Sequence, residues 1–206
     1  MDQYSEHDVR QQLEPYHDRI RQVIERGHSE WVAVKQFMIN SGYGSVRYPR
    51  TIANFVFDAV VRHAITEFGN DDNIRTIEEA QTVKFCFGDT VLMRFKKGDE
   101  DNLGQNLLTQ AVIDFIFVQT NLPGLAPKAA KIEVLYSASD IDDSIERVVV
   151  AARDGDQLLW HYRLDKDGEA DGAIPLIPST TPRNEDTDEM PIIVPRKRDI
   201  ANDQGG

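Results

Sequence analysis

Val83-Lys84-Phe85-Cys86-Phe87-Gly88-Asp89-Thr90-Val91-Leu92-Met93-Arg94-Phe95-Lys96-Lys97 opens a block, Gln81 to Leu164, written in strands, turns and one helix. Two runs rich in aromatic and branched residues flank Gly88-Asp89, which suits a two-residue hairpin loop with glycine first. That loop length places Val83, Phe85 and Phe87 on one face with Thr90, Leu92 and Arg94. Lys84, Cys86, Val91, Met93 and Phe95 then share the other.

Downstream, Asn106 to Asn121 carries Leu107, Leu108, Ala111, Val112, Phe115 and Val118 at helical spacing, and Leu122-Pro123-Gly124 ends the helix. Ile132 to Tyr136 reads as a strand. Arg147 to Tyr162 reads as a second hairpin about Asp154-Gly155, with Ala151 facing Leu158 and Val149 facing Trp160. The order β-β-α-β-β-β predicts an α+β fold, an antiparallel sheet of about five strands with one helix packed on it.

Residues 1–80 read as helical. Leu13, Tyr16, Ile20, Val23 and Ile24 form a narrow apolar stripe over Val9 to Gly27. Ser29 is placed to cap a second helix, Trp31 to Ile39, which Gly42 and Gly44 follow. Pro49 starts a third that runs to Phe68. This helix is apolar on two faces and leaves one polar stripe: Arg50, Asn54, Asp58 and Arg62. The stripe is either a solvated ladder of i,i+4 pairs or a polar cluster facing a partner.

From Asp165 the chain turns acidic and proline-rich, which predicts a disordered tail over 165–206. Ile192, Ile193 and Val194 stand between Pro191 and Pro195 within it. Three aliphatics in such a setting can add to a sheet edge or groove of a partner. The expected organisation is therefore 1–80 helical, 81–164 α+β sheet domain, and 165–206 tail.

Composition narrows the function classes. The net charge of −12 makes direct nucleic-acid binding a poor fit, because phosphate affinity depends on many Lys and Arg contacts. One cysteine, Cys86, excludes an intramolecular disulfide and suits a reducing, cytoplasmic setting. The N-terminus carries no signal-peptide pattern, and no apolar run reaches the ~20 residues of a membrane span.

The histidines are scattered, no His-Glu-x-x-His helix or cysteine pair occurs, and no metal or cofactor is expected. Asp140-Ile141-Asp142-Asp143-Ser144-Ile145-Glu146 holds closely spaced oxygens, but it lacks the glycine of a calcium loop and reads as a solvated turn. Cys86 reads as a buried thiol. Arg94, Lys96 and Lys97 form a basic spot split across both faces of their strand. No catalytic residue stands out.

An ordered series runs along the chain: Arg50-x-x-x-Asn54, Arg94-Phe95-Lys96-Lys97, Thr109-Gln110, Leu122-Pro123-Gly124-Leu125-Ala126-Pro127, Arg153-Asp154-Gly155 and Leu159-Trp160. It resembles an uncharacterised bacterial family of small cytoplasmic proteins, often encoded beside a helix-turn-helix regulator joined to a zinc metallopeptidase domain. The resemblance spans residues 45–164 and implies a part in a toxin–antitoxin, stress-response or phage-defence system. It implies no activity and no catalytic residues.

Two functions follow. The first is a non-catalytic component that binds a partner protein, for instance a neighbouring gene's product, through Arg50, Asn54, Asp58, Arg94, Lys96 and Lys97. The second is a toxin-type enzyme acting on nucleic acid or nucleotide, with Arg50, Asn54, Asp58 and Arg94 converging in a polar pocket.

Overall fold

The computed structural model describes residues 5–79, 82–98, 115, 129–139 and 143–164. The expected tail, with Ile192, Ile193 and Val194, lies outside the described residues. So does the expected helix Asn106 to Asn121, save for Phe115, which is helical and buried.

Helix α1, Glu6–Leu13, passes through a 3₁₀ turn, Glu14–Tyr16, into α2, His17–Asn40. Helix α3 spans Pro49–Phe68, and the strands are β1 (Ile74–Glu79), β2 (Thr82–Phe87), β3 (Val91–Lys97), β4 (Ala130–Ala138), β5 (Ile145–Asp154) and β6 (Gln157–Arg163). The six strands form one sheet in sequence order. The fold is α+β, as the sequence predicts. Among the described residues, no helix is long and apolar enough to cross a membrane.

Four local expectations are corrected. First, α2 is continuous: Gly27 and Ser29 do not break it, and Ser29 Oγ donates back to the Glu25 carbonyl at 2.8 Å. Gly27 is there for packing. A Cβ on it would lie 2.6 Å from both the backbone nitrogen and Cγ2 of Val60, so the glycine lets α2 and α3 touch.

Second, β1 lies within the region expected to be wholly helical, so the sheet has six strands rather than five. Ile74 and Ile77 are three apart, a helical spacing, and only Ile74 is fully buried on this edge strand. Alternation is therefore weak in it.

Third, β3 and β4 pair in parallel, Arg94 opposite Glu133, so the sheet is mixed. The other four pairings are antiparallel, and three of them, β2–β3, β4–β5 and β5–β6, join strands that the sequence predicts. Two adjacent parallel strands need a long crossover, and the connection 98–129 provides it.

Fourth, both hairpin registers differ. Phe87 pairs with Val91 and Phe85 with Met93, so Thr90 belongs to the loop. Gly88 and Asp89 both take left-handed φ (54° and 57°), and Thr90 N–H donates to the Phe87 carbonyl at 3.1 Å. The Thr90 carbonyl then accepts from Ala130 N–H at 2.8 Å, serving β4 instead of β2. One extra loop residue turns every side chain of β3 over. In the second hairpin the loop is Gly155-Asp156, and a bulge between Ala152 and Arg153 sets Ala151 opposite His161 and Val149 opposite Arg163.

The corrected register explains the core. Phe85, Phe87, Val91, Met93 and Phe95 all face the helices, with Ile132, Val134, Val148 and Val150. Phe68 of α3 meets Phe85 and Phe87 edge-on at 5.4 and 5.7 Å between ring centres, a favoured aromatic geometry. Helices and sheet thus share one core across residue 80.

Candidate functional site

The opposite face of the sheet is partly charged. β3 presents Leu92, Arg94 and Lys96 there, and β4 presents Glu133. Arg94 and Glu133 are each 1% exposed. Arg94 Nε donates to Glu133 Oε1 at 3.0 Å, and its Nη2 also reaches that oxygen. Arg153 Nη1 lies 3.7 Å from Glu133 Oε2. Phe115 covers the guanidinium of Arg94 with its ring, 4.1 Å away, a close cation–π stack. Buried Lys84 pairs with Glu79 at 2.6 Å on the adjoining strands.

Burial disfavours the charged form of Arg94 more than Glu133 supports it, so its pKa lies below the usual arginine range. Burial, and then the Arg94 charge beside it, push Lys96 down as well. Cys86 is buried on this face near Leu92 and Phe115, and burial raises its thiol pKa, which keeps it protonated and unreactive. Phe115 is the described residue that lies over this charged group, with its ring near both Lys84 and Arg94.

On the helical side, Asn54 and Asp58 sit on the exposed surface of α3. Arg62 joins Asp58 at 3.2 Å and Glu30 of α2 at 2.8 Å, while His63 Nε2 meets the other oxygen of Glu30 at 2.7 Å. Further along, Arg19 bridges Glu67 and Asp71. A surface depression of about 520 Å³, lined among others by Glu25, Glu30 and His63, lies along these two helices. Its carboxylates are answered by neighbouring side chains: Arg21 pairs with Glu25, while Glu30 takes Arg62 and a hydrogen-bond contact with His63.

The predicted site residues are therefore dispersed. Arg50, Asn54 and Asp58 lie on exposed α3, whereas Arg94 is buried on the sheet face that α3 does not cover. Lys96 is half-buried beside Arg94, and Lys97 is exposed at the end of β3. No pocket brings Arg50, Asn54, Asp58 and Arg94 together among the described residues. Nor do three metal-ligating side chains converge among them. Asp140 to Asp142 lie outside the described residues; Asp143 pairs with Lys35 at 2.7 Å.

What the sequence reading missed is the tip where α2 hands over to α3. Phe37, Ile39, Tyr43 and Tyr48 are 62%, 59%, 64% and 65% exposed there. The tip is ordered by its backbone. Gly42 takes a φ of +70°, Gly42 N–H donates to the Ile39 carbonyl, and Tyr43 N–H donates to the Met38 carbonyl at 2.9 Å. This is the Schellman closure of a helix. It sets the Tyr43 ring 6.3 Å from that of Phe37. Pro49 then fixes the first turn of α3.

A sequence signal for this tip exists. In a chain with 35 acidic residues, none occurs between Glu30 and Asp58. That stretch carries Lys35, Arg47 and Arg50 among six aromatic rings: Trp31, Phe37, Tyr43, Tyr48, Phe55 and Phe57.

The chain matches no family model, no curated protein and no solved structure.

Proposed function

We propose that this protein is a non-catalytic interaction component that works by binding a partner protein through the α2–α3 tip. The observation that carries this reading is the group of four large apolar side chains left well over half exposed on a locally ordered turn. Isolated exposed apolar residues need no explanation, but grouped aromatics at one end of a helix pair do. Tyrosine and arginine are the residue types that anchor protein interfaces, and a pre-ordered turn lowers the entropy lost on docking.

Of the surface expected from sequence, Arg50 adjoins the tip and Asn54 and Asp58 continue from it along α3. The single cysteine fits a cytoplasmic setting. The resemblance over residues 45–164 adds a context: a bacterial toxin–antitoxin, stress-response or phage-defence system whose partner is a neighbouring gene's product. The enzyme alternative has less support, since Arg94 is buried on the far face of the sheet from Arg50, Asn54 and Asp58.

The test is co-expression of the intact chain with the products of its neighbouring genes, followed by co-purification and growth scoring. A partner that co-purifies, and is lost when Phe37, Tyr43 and Tyr48 are changed to serine, supports the reading. Toxicity of the chain alone that Arg50→Ala abolishes, with no partner recovered, overturns it.

A further inference from the structure

The two arginines of the tip stand apart from the rest. The other described arginines engage groups of the chain itself, as Arg19 does Glu67 and Asp71, and Arg62 does Glu30 and Asp58. Arg47 and Arg50 are exposed and engage no carboxylate among the described residues. In a protein of net charge −12, two cations three residues apart, with no carboxylate against either among the described residues, run against the general excess of acid.

Their placement is also locally unfavourable. Arg50 lies in the first turn of α3, which contains no acidic residue. That end of a helix carries partial positive charge and favours carboxylates over cations. Local stability does not account for an arginine there.

We infer that the partner presents an acidic protein segment to this tip, with carboxylates opposite Arg47 and Arg50 and apolar side chains covering Phe37, Tyr43 and Tyr48. This deepens the proposed function and rests on it. Charge complementarity selects the occupant. Single-stranded nucleic acid also stacks on aromatics, but two phosphate contacts give a salt slope of only about −1.4 in log units. The remaining charge of the chain repels a polyanion. A protein segment needs no such field, and the aliphatic Ile39 suits apolar anchors better than bases.

Selection of a random peptide library displayed on phage, using the intact chain as bait, tests this directly. Enriched peptides are synthesised and titrated by fluorescence anisotropy, and their site is mapped by backbone NMR. The expected peptides are rich in Asp and Glu with Leu, Phe or Trp among them. They shift resonances within residues 37–50, weaken as salt rises, and lose about tenfold or more in affinity against Arg47→Glu/Arg50→Glu. Peptides that map to the tip without acidic excess, or that bind the charge-reversed variant equally well, overturn the acidic partner and leave the docking surface standing. An empty selection overturns both. So do peptides indifferent to serine at Phe37, Tyr43 and Tyr48, and so does tighter binding of oligo-dT or phosphatidylserine vesicles at the same residues.

Discussion

Arg94 of β3 and Glu133 of β4 face each other across paired parallel strands, both buried, joined by an Nε to Oε1 hydrogen bond of 3.0 Å. A buried ion pair offers little net stability over an apolar pair of similar volume, yet breaking it strands a charge without water. Glu133→Gln is therefore expected to destabilise the fold by about 3–5 kcal/mol. The double replacement Arg94→Met/Glu133→Leu should cost much less. Urea unfolding of both variants checks this, and equal losses would show that the stranded charge is not the cause.

Gly27 sits where α2 meets α3. In an exposed helix Gly→Ala gains about 1 kcal/mol from backbone entropy. Here the added methyl meets Val60 nitrogen and Cγ2 at 2.6 Å and Cα at 2.8 Å. Overpacking of this kind costs about 1–3 kcal/mol, so Gly27→Ala should lower the thermal midpoint. Because backbone atoms are in the way, adding Val60→Ala should not restore it. Thermal unfolding of the single and double variants reads the outcome.

Acid should weaken the fold in two stages. Burial, aided by Arg10, lowers the pKa of His17 from its ordinary 6.5, and burial likewise lowers that of His28. The unfolded chain then binds more protons, so stability present above pH 6.5 is lost as pH falls toward the lowered folded values. A second loss follows below about pH 4.5, where Glu30 and Asp71, held low chiefly by Arg62 and Arg19, take up protons. Urea midpoints between pH 8 and pH 3 should show both steps. His17→Gln/His28→Gln should flatten only the first.

The tip side chains should be nearly silent for folding. Serine at Phe37, Ile39, Tyr43 or Tyr48 is expected to change stability by no more than about 0.5 kcal/mol each, since little of each side chain is buried. A loss of several kcal/mol at any of them in urea unfolding would assign that residue to the core and remove it from the docking surface.

Much of the fold was legible in local signals. Pro49 and Gly69 bound α3 where the sequence puts them, and the runs that became β2, β3, β4, β5 and β6 announce themselves by branched and aromatic residues. The parallel pairing of β3 with β4 was not legible: hairpin connections predict an antiparallel sheet, and only the alignment of these two strands shows that the segment between them is a crossover. Nor was the edge strand β1, because only Ile74 is fully buried and its two isoleucines mimic helical spacing.

The sequence by itself determined the α+β class, the extent of α3, the acidic character and the single thiol, because propensity, caps and composition act within a few residues. Only the tertiary structure decided that Thr90 belongs to a loop, that Gly27 is a contact point instead of a break, and that Arg94 is buried while Phe37, Tyr43 and Tyr48 are exposed. Each of these depends on which distant backbone lies alongside. Register and exposure are properties of pairs of segments, and a single residue in a loop is enough to reverse them.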